Sequence, residues 1–192
     1  MKVKIGIFGS AKYELEEIKK KAQKLGEVLA DFDVIFITGA CSGLPYEVAK
    51  AAYKKNQTEI WGYSPAVDYQ GQLMHTPNDD NSIYSKLIYT PATFELANDL
   101  KASLKYRNVI SSAVCDGAII ISGRWGTLNE FTNLFDMGKV IGVLTKTGGV
   151  ADLLSDLNKK IHKKSKAVVF FSDSADLLVQ KVIKEIKRRK EK

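Results

Sequence analysis

Two cysteines and two histidines in 192 residues leave little room for thiol or metal chemistry. Cys41 and Cys115 are too few for a disulfide framework. Adding His75 and His162 does not supply the ligand cluster of a zinc site. No metal and no cofactor is therefore expected. Long apolar runs are missing as well, none approaching the roughly 20 residues of a membrane span. The stretch from Met1 to Phe8 moves straight into a strand, without a signal peptide's cleavage pattern. Internal repeats and low-complexity linkers are absent. The expectation is a cytoplasmic protein with one domain over residues 1–192, since 45% hydrophobic content suffices for one well-filled core.

Balanced charge is also lacking, but the excess is local. The chain carries 29 Lys and Arg against 22 Asp and Glu, a net +7. Residues 158–192 hold 12 basic and 4 acidic side chains, leaving 17 and 18 for the remainder. A nucleic-acid-binding domain normally spreads basic side chains over its recognition face. Here they end in a tail, Lys187 to Lys192, on a terminal helix whose dipole favours cations at that end. The surplus reads as a solvated tail, and nucleic acid and membrane are not expected partners.

The most informative segment runs from Ile119 to Glu130. Ile119-Ile120-Ile121 suits a strand buried on both faces of a parallel sheet. Gly123 and Gly126 permit a sharp turn and close approach of a ligand. Thr127 is then expected to open a helix, whose unpaired N–H groups attract phosphate.

Strand and helix signals alternate along the rest of the chain. Strands are expected at 3–8, 34–37, 59–62, 87–89, 119–121, 140–144 and 167–171. Helices are expected at 13–30, 43–52, 94–113, 128–137, 149–161 and at the basic C-terminal end. This alternation implies an α/β fold with a doubly wound, mostly parallel Rossmann-like sheet. Gly9-Ser10, Gly39 to Gly43, and Gly123 to Thr127 all follow strands, where such sheets bind ligands. Residues 64–84 break the rhythm as a polar connection, read either as a family insertion or as a lid. Within it, His75 reads as a solvated loop histidine.

Two charged residues carry alternative readings. Leu96, Leu100, Leu104 and Arg107 share one helical face, expected to meet the sheet, while Lys101 and Lys105 point elsewhere. Arg107 is then either an anion clamp or an arginine paired with a carboxylate near the helix end. Glu130 stands in a Thr-x-x-Glu pattern, the capping box. It lies away from the apolar stripe Leu128, Phe131, Leu134 and Phe135, over the turn, where a cap and a catalytic carboxylate both fit. Cys41 reads as a small buried loop residue. Trp125 has three open roles: stacking on a base, filling a subunit interface, or covering the sheet edge.

These motifs resemble the LOG (Lonely Guy) family, also known as lysine decarboxylase-like, within the SLOG superfamily of Rossmann-like proteins. Its Pro-Gly-Gly-x-Gly-Thr-x-x-Glu turn is matched by Ser122 to Glu130, and its upstream helical arginine by Tyr106-Arg107-Asn108-Val109. Phe8-Gly9-Ser10 and Gly39 to Leu44 look like its other glycine loops. The resemblance implies a homodimeric phosphoribohydrolase that needs no metal. Such an enzyme cleaves a nucleoside 5′-monophosphate into free base and ribose 5-phosphate. By match, Arg107 and Glu130 would be catalytic. Gly9, Ser10, Gly39, Gly43, Asn108, Gly123, Arg124, Gly126 and Thr127 would hold the nucleotide and its phosphate.

The chain also departs from the pattern. Arg124 replaces the second glycine of the run, either blocking a conformation natural to glycine or adding a phosphate cation. Asn108 stands where cytokinin-activating members have lysine. The pattern resembles a divergent branch, with a non-catalytic carrier or sensor of a phosphorylated ligand as the alternative. The carrier would be similar to molybdenum-cofactor carrier proteins, the sensor to SLOG sensor domains. Single-strand DNA binding, found among DNA-processing relatives, is a weaker third reading.

Overall fold

The computed structural model describes residues 2–12, 15–161 and 163–191. Outside them lie the expected first-helix start at Tyr13, His162, and the last tail residue, Lys192. Seven strands are described: β1 (Val3–Gly9), β2 (Val34–Thr38), β3 (Ile60–Tyr63), β4 (Lys86–Ile88), β5 (Gly117–Ile121), β6 (Val140–Leu144) and β7 (Val168–Ser172). They form one sheet in the order β4-β3-β2-β1-β5-β6-β7, with every pairing parallel. The strand order reverses between β1 and β5, where the register sets Gly9 beside Ile121.

The helices are α1 (Glu16–Leu29), α2 (Leu44–Asn56), α3 (Tyr69–His75), α4 (Leu100–Val114), α5 (Trp125–Asp136), α6 (Gly149–Lys160) and α7 (Ala175–Lys190). They cover both faces of the sheet. One apolar cluster joins α1, α2 and α7 to Ile5, Ile7, Phe36, Ile119 and Ile121. The other sets Phe131, Leu134 and Leu154 against Phe8, Ile37, Ile120 and Val143. Alternate residues of β5 thus enter opposite cores, which is why the strand reads as an unbroken isoleucine run. Among the described residues, no helix is long and apolar enough to cross a membrane.

Three expectations need correction. Residues 64–84 are not an unstructured connection: they contain α3 and a 3-10 turn, Asn81–Ile83. Asp68 caps α3 through Gly71 N–H at 2.7 Å. Buried Gln72 donates to the Ala40 carbonyl at 2.9 Å and to Asn81 Oδ1 at 3.0 Å. His75 is half-buried, and burial foremost, with Arg107 next, lowers its pKa. The second correction concerns α4, which starts at Leu100 because Asp99 caps it, accepting from Lys101 and Ala102 N–H. Leu96 therefore precedes the helix, and Leu96 and Leu100 are each 53% exposed. The buried face of α4 is polar instead: Ser103, Arg107, Asn108, Ser111 and Ser112.

Third, α5 opens at Trp125 with Arg124 as N-cap, two residues ahead of the expected Thr127. Glu130 consequently sits in the second turn, beyond reach of the N-cap amide, and the capping box is not formed. It is also buried, while lining the same cleft as the turn residues.

Candidate functional site

The C-terminal ends of β1, β2 and β5 bound a cleft of about 480 Å³ on the side where strand order reverses. Gly9 and Ser10 line it from β1, and Gly39 from the turn after β2. Arg107 and Asn108 line it from α4, and Arg124, Gly126, Thr127 and Glu130 from the start of α5. Gly43 and Gly123 do not. Gly43 packs against the Ser10–Ala11 backbone, and the next amide, of Leu44, donates to the Ser10 carbonyl at 2.8 Å. Gly123 lies behind the cleft, where a Cβ would strike the Thr127 side chain and where φ is +102°.

The turn before α5 has a defined back. The carbonyls of Gly123 and Ser122 accept from Val150 and Ala151 N–H of α6, at 2.8 and 3.1 Å. Ser122 N–H donates to Thr147 Oγ1 at 2.9 Å. The first bond within α5 is Leu128 N–H to the Arg124 carbonyl, so the amides of Trp125, Gly126 and Thr127 lie ahead of the helical ladder. A Cβ at Gly126 would meet nothing within 4 Å, so this residue borders open space at the cleft. Unpaired helix-start amides beside a cleft suit an anion.

Arg124 does not strain this turn. Its φ of −131° and ψ of −154° are extended backbone open to any residue. The left-handed angles fall on Ser122 (φ 51°) and Gly123 (φ 102°). Arg124 is exposed and lines the cleft, leaving its guanidinium to act as a rim cation.

Arg107 is 7% exposed and donates through Nη1 to the Gly39 carbonyl. A Cβ at Gly39 would collide with that guanidinium, so glycine there lets the arginine approach the backbone. Of its two readings the carboxylate-paired arginine is not seen: none of the ion pairs among the described residues involves Arg107, and its Nε is buried without a partner. Asn108 donates to Asn129 Oδ1 at 3.3 Å, while its own Oδ1 is unpaired.

Burial pushes the Glu130 carboxyl up to about 7, with Arg107 and then Lys105 pulling it partly back. A carboxyl at that value both takes up and releases protons near neutrality. Cys41 is half-buried and lines the cleft. Trp125 is 81% exposed on the cleft rim, so covering the sheet edge is not its role.

Lys101, Leu104 and Lys105 also line the cleft, although Lys101 and Lys105 were expected to face away. Their four-residue spacing was the available signal, obscured by placing Leu96 and Leu100 on the sheet face. Gln72 was missed altogether. It steadies the turn after β2 from behind, and no periodicity marks it. Among the described residues no group of His, Cys, Asp and Glu forms a metal-holding cluster.

A parallel sheet with helices on both faces, and a cleft where strand order reverses, defines a Rossmann-like α/β protein. The chain belongs to the SLOG cluster4 family, whose sequence model matches residues 2–179. No curated protein matches significantly. Among solved structures it is similar to the structural-genomics target TM1055, with TM-score 0.75 and 18% identity over 96% of this chain and 99% of that one. It is similar to the molybdenum cofactor binding protein from the phototrophic bacterium Rippkaea orientalis, with TM-score 0.67 and 19% identity over 97% and 98%. It also resembles Helicobacter pylori DNA processing protein A, described for its single-stranded DNA binding, with TM-score 0.66 and 17% identity over 95% and 81%. At these identities the likeness concerns the fold.

Proposed function

We propose that this protein binds a nucleoside 5′-monophosphate and hydrolyses its base–ribose bond. The observation that carries the reading is Glu130, buried in the cleft wall beside Arg107, without a capping role and with a pKa of about 7. The 5′-phosphate rests on the amides of Gly126 and Thr127, the Thr127 hydroxyl and Arg124. Gly9, Ser10 and Gly39 shape the ribose site, with Arg107 and Asn108 opposite. As the C1′–N bond breaks, its electron pair departs with the base and positive charge grows on the ribose ring. The Glu130 carboxylate offsets that charge and takes a proton from the water that attacks C1′. That proton ends on the departing base. The products are free base and ribose 5-phosphate, with no metal in the scheme.

Incubation with AMP, GMP, CMP and UMP, followed by chromatography for free base, tests this reading. Release of base from at least one nucleotide is expected. Absence of release from all four refutes hydrolysis.

A second reading, a carrier or sensor of a phosphorylated ligand, is favoured by the exposed Arg124 on the rim. It predicts tight binding with the nucleotide recovered intact. Exposed Leu100 and Val109 on α4, and Trp125 and Met137 at the ends of α5, support a homodimer through this region, to be read from the mass in light scattering.

A further inference from the structure

We propose that the cleft takes a ligand bearing two phosphoryl groups, the second held by Lys101 and Lys105. This rests on the reading of the cleft as a nucleotide site and narrows its ligand class. Four cations line the cleft: Lys101, Lys105, Arg107 and Arg124. Glu130 is the one carboxylate lining it among the described residues.

Several cations outside the cleft are paired, Lys55 with Asp31, Lys146 with Asp173, and Arg188 and Arg189 with Glu185. No ion pair among the described residues includes any of the four cleft cations. Asp99, adjacent in sequence, is engaged in capping the helix through the amides of Lys101 and Ala102, at 2.8 and 3.2 Å.

The four cations fall into two groups. Arg107 forms the deep wall and Arg124 precedes the amides of α5. Lys101 and Lys105 lie one turn apart on α4, about 6 Å along its axis, with Leu104 between them also lining the cleft. Along that axis Lys101 is about 9 Å and Lys105 about 3 Å from Arg107, so the cationic lining of α4 extends from the inner arginine toward the start of the helix. Unpaired Arg107 Nε and Asn108 Oδ1, on residues 7% and 4% exposed, mark the inner group as a place for polar ligand atoms. A nucleoside monophosphate brings about two negative charges and meets that inner group. Four cations against Glu130 and those two charges still leave an excess of about one positive charge, which a second phosphoryl group offsets. A nucleoside diphosphate and a nucleoside 3′,5′-bisphosphate share this chemistry.

Calorimetric titration of the full chain with AMP, ADP and adenosine 3′,5′-bisphosphate at low salt tests the proposal. One of the two-phosphoryl ligands is expected to bind about tenfold tighter than AMP, and added salt should erode the margin. The K101A/K105A double variant should lose that margin while AMP affinity stays within about threefold. Both side chains are exposed, so folding is expected to persist, with circular dichroism as the check. The charge-reversed K101E/K105E variant should invert the preference. Equal affinity for all three ligands overturns the proposal, as does equal loss of AMP and ADP binding in the double variant. Base release is scored separately. Preference without release sustains the proposal and removes the hydrolase reading, whereas release without preference does the reverse.

Discussion

Replacing Glu130 by glutamine removes a carboxylate that the fold holds in an unfavourable place. Its pKa is displaced from 4.5 to about 7, chiefly by burial. Below about pH 4.5 the carboxyl is protonated in folded and unfolded chains alike, and the charge has no effect on stability. Between there and about 7 the unfolded chain has released its proton while the folded chain keeps it, so stability falls as pH rises. Above about 7 the penalty is complete. At about 1.4 kcal/mol per pH unit it amounts to about 3 kcal/mol at pH 8 and about 1.4 kcal/mol at pH 5.5. Glu130→Gln preserves shape and stays neutral, so it should stabilise the protein by those amounts. For a chain of this size the melting temperature should rise by roughly 6–12 °C near pH 8 and roughly 3–6 °C near pH 5.5. The same variant cannot accept a proton from water, so turnover should fall on the order of 10³-fold with nucleotide affinity nearly unchanged. Calorimetric melts at the two pH values, paired with base-release assays, measure both effects. A melting shift equal at the two pH values, or destabilisation at pH 8, refutes the account of a buried, displaced carboxyl.

Other changes probe the cleft wall and its support. Gly39→Ala places a methyl group against the Arg107 guanidinium and should cost about 1–3 kcal/mol in urea unfolding, with nucleotide binding weakened in parallel. Arg124→Ala should leave the urea midpoint unchanged, because the extended backbone suits any residue, while phosphate-bearing ligands bind roughly tenfold more weakly. Arg124→Gly should gain no stability over Arg124→Ala, and a clear gain would indicate hidden backbone strain at that position. Gln72→Leu leaves the Ala40 carbonyl without its donor and should destabilise by about 1–3 kcal/mol, read from the same unfolding curves.

The sheet was legible because burial on both faces writes itself into composition. Runs such as Ile119–Ile121 and Val140–Leu144 have no polar alternation, and the glycine turns follow β1, β2 and β5 directly. Arg107 stayed open between an anion clamp and a carboxylate-paired arginine, because periodicity places a side chain on a face without naming what it meets there. What stayed hidden depended on helix starts. Arg124 is not a residue type that announces an N-cap, so Thr127 looked like the opening and Glu130 like its reciprocal partner. Capping of α4 by Asp99 likewise leaves Leu96 outside the helix, and Lys101, Leu104 and Lys105 line the cleft. Residues 64–84 concealed a short helix because its anchoring is polar: Asp68 caps it, and Gln72 fastens it to the turn after β2. Hydrophobic periodicity cannot report a hydrogen-bonded buttress.

The attachment of the Ser122–Gly123 carbonyls to the start of α6 separates the foundation of the recognition turn from its face. Its position in the molecule is set from the rear, largely through main-chain hydrogen bonds that do not involve the side chain at 124. The residue at 124 is therefore free to vary in charge and size without rebuilding the architecture beneath it. Divergence of cargo within such a lineage, or its deliberate redesign, then requires new side chains on an inherited platform and no new backbone.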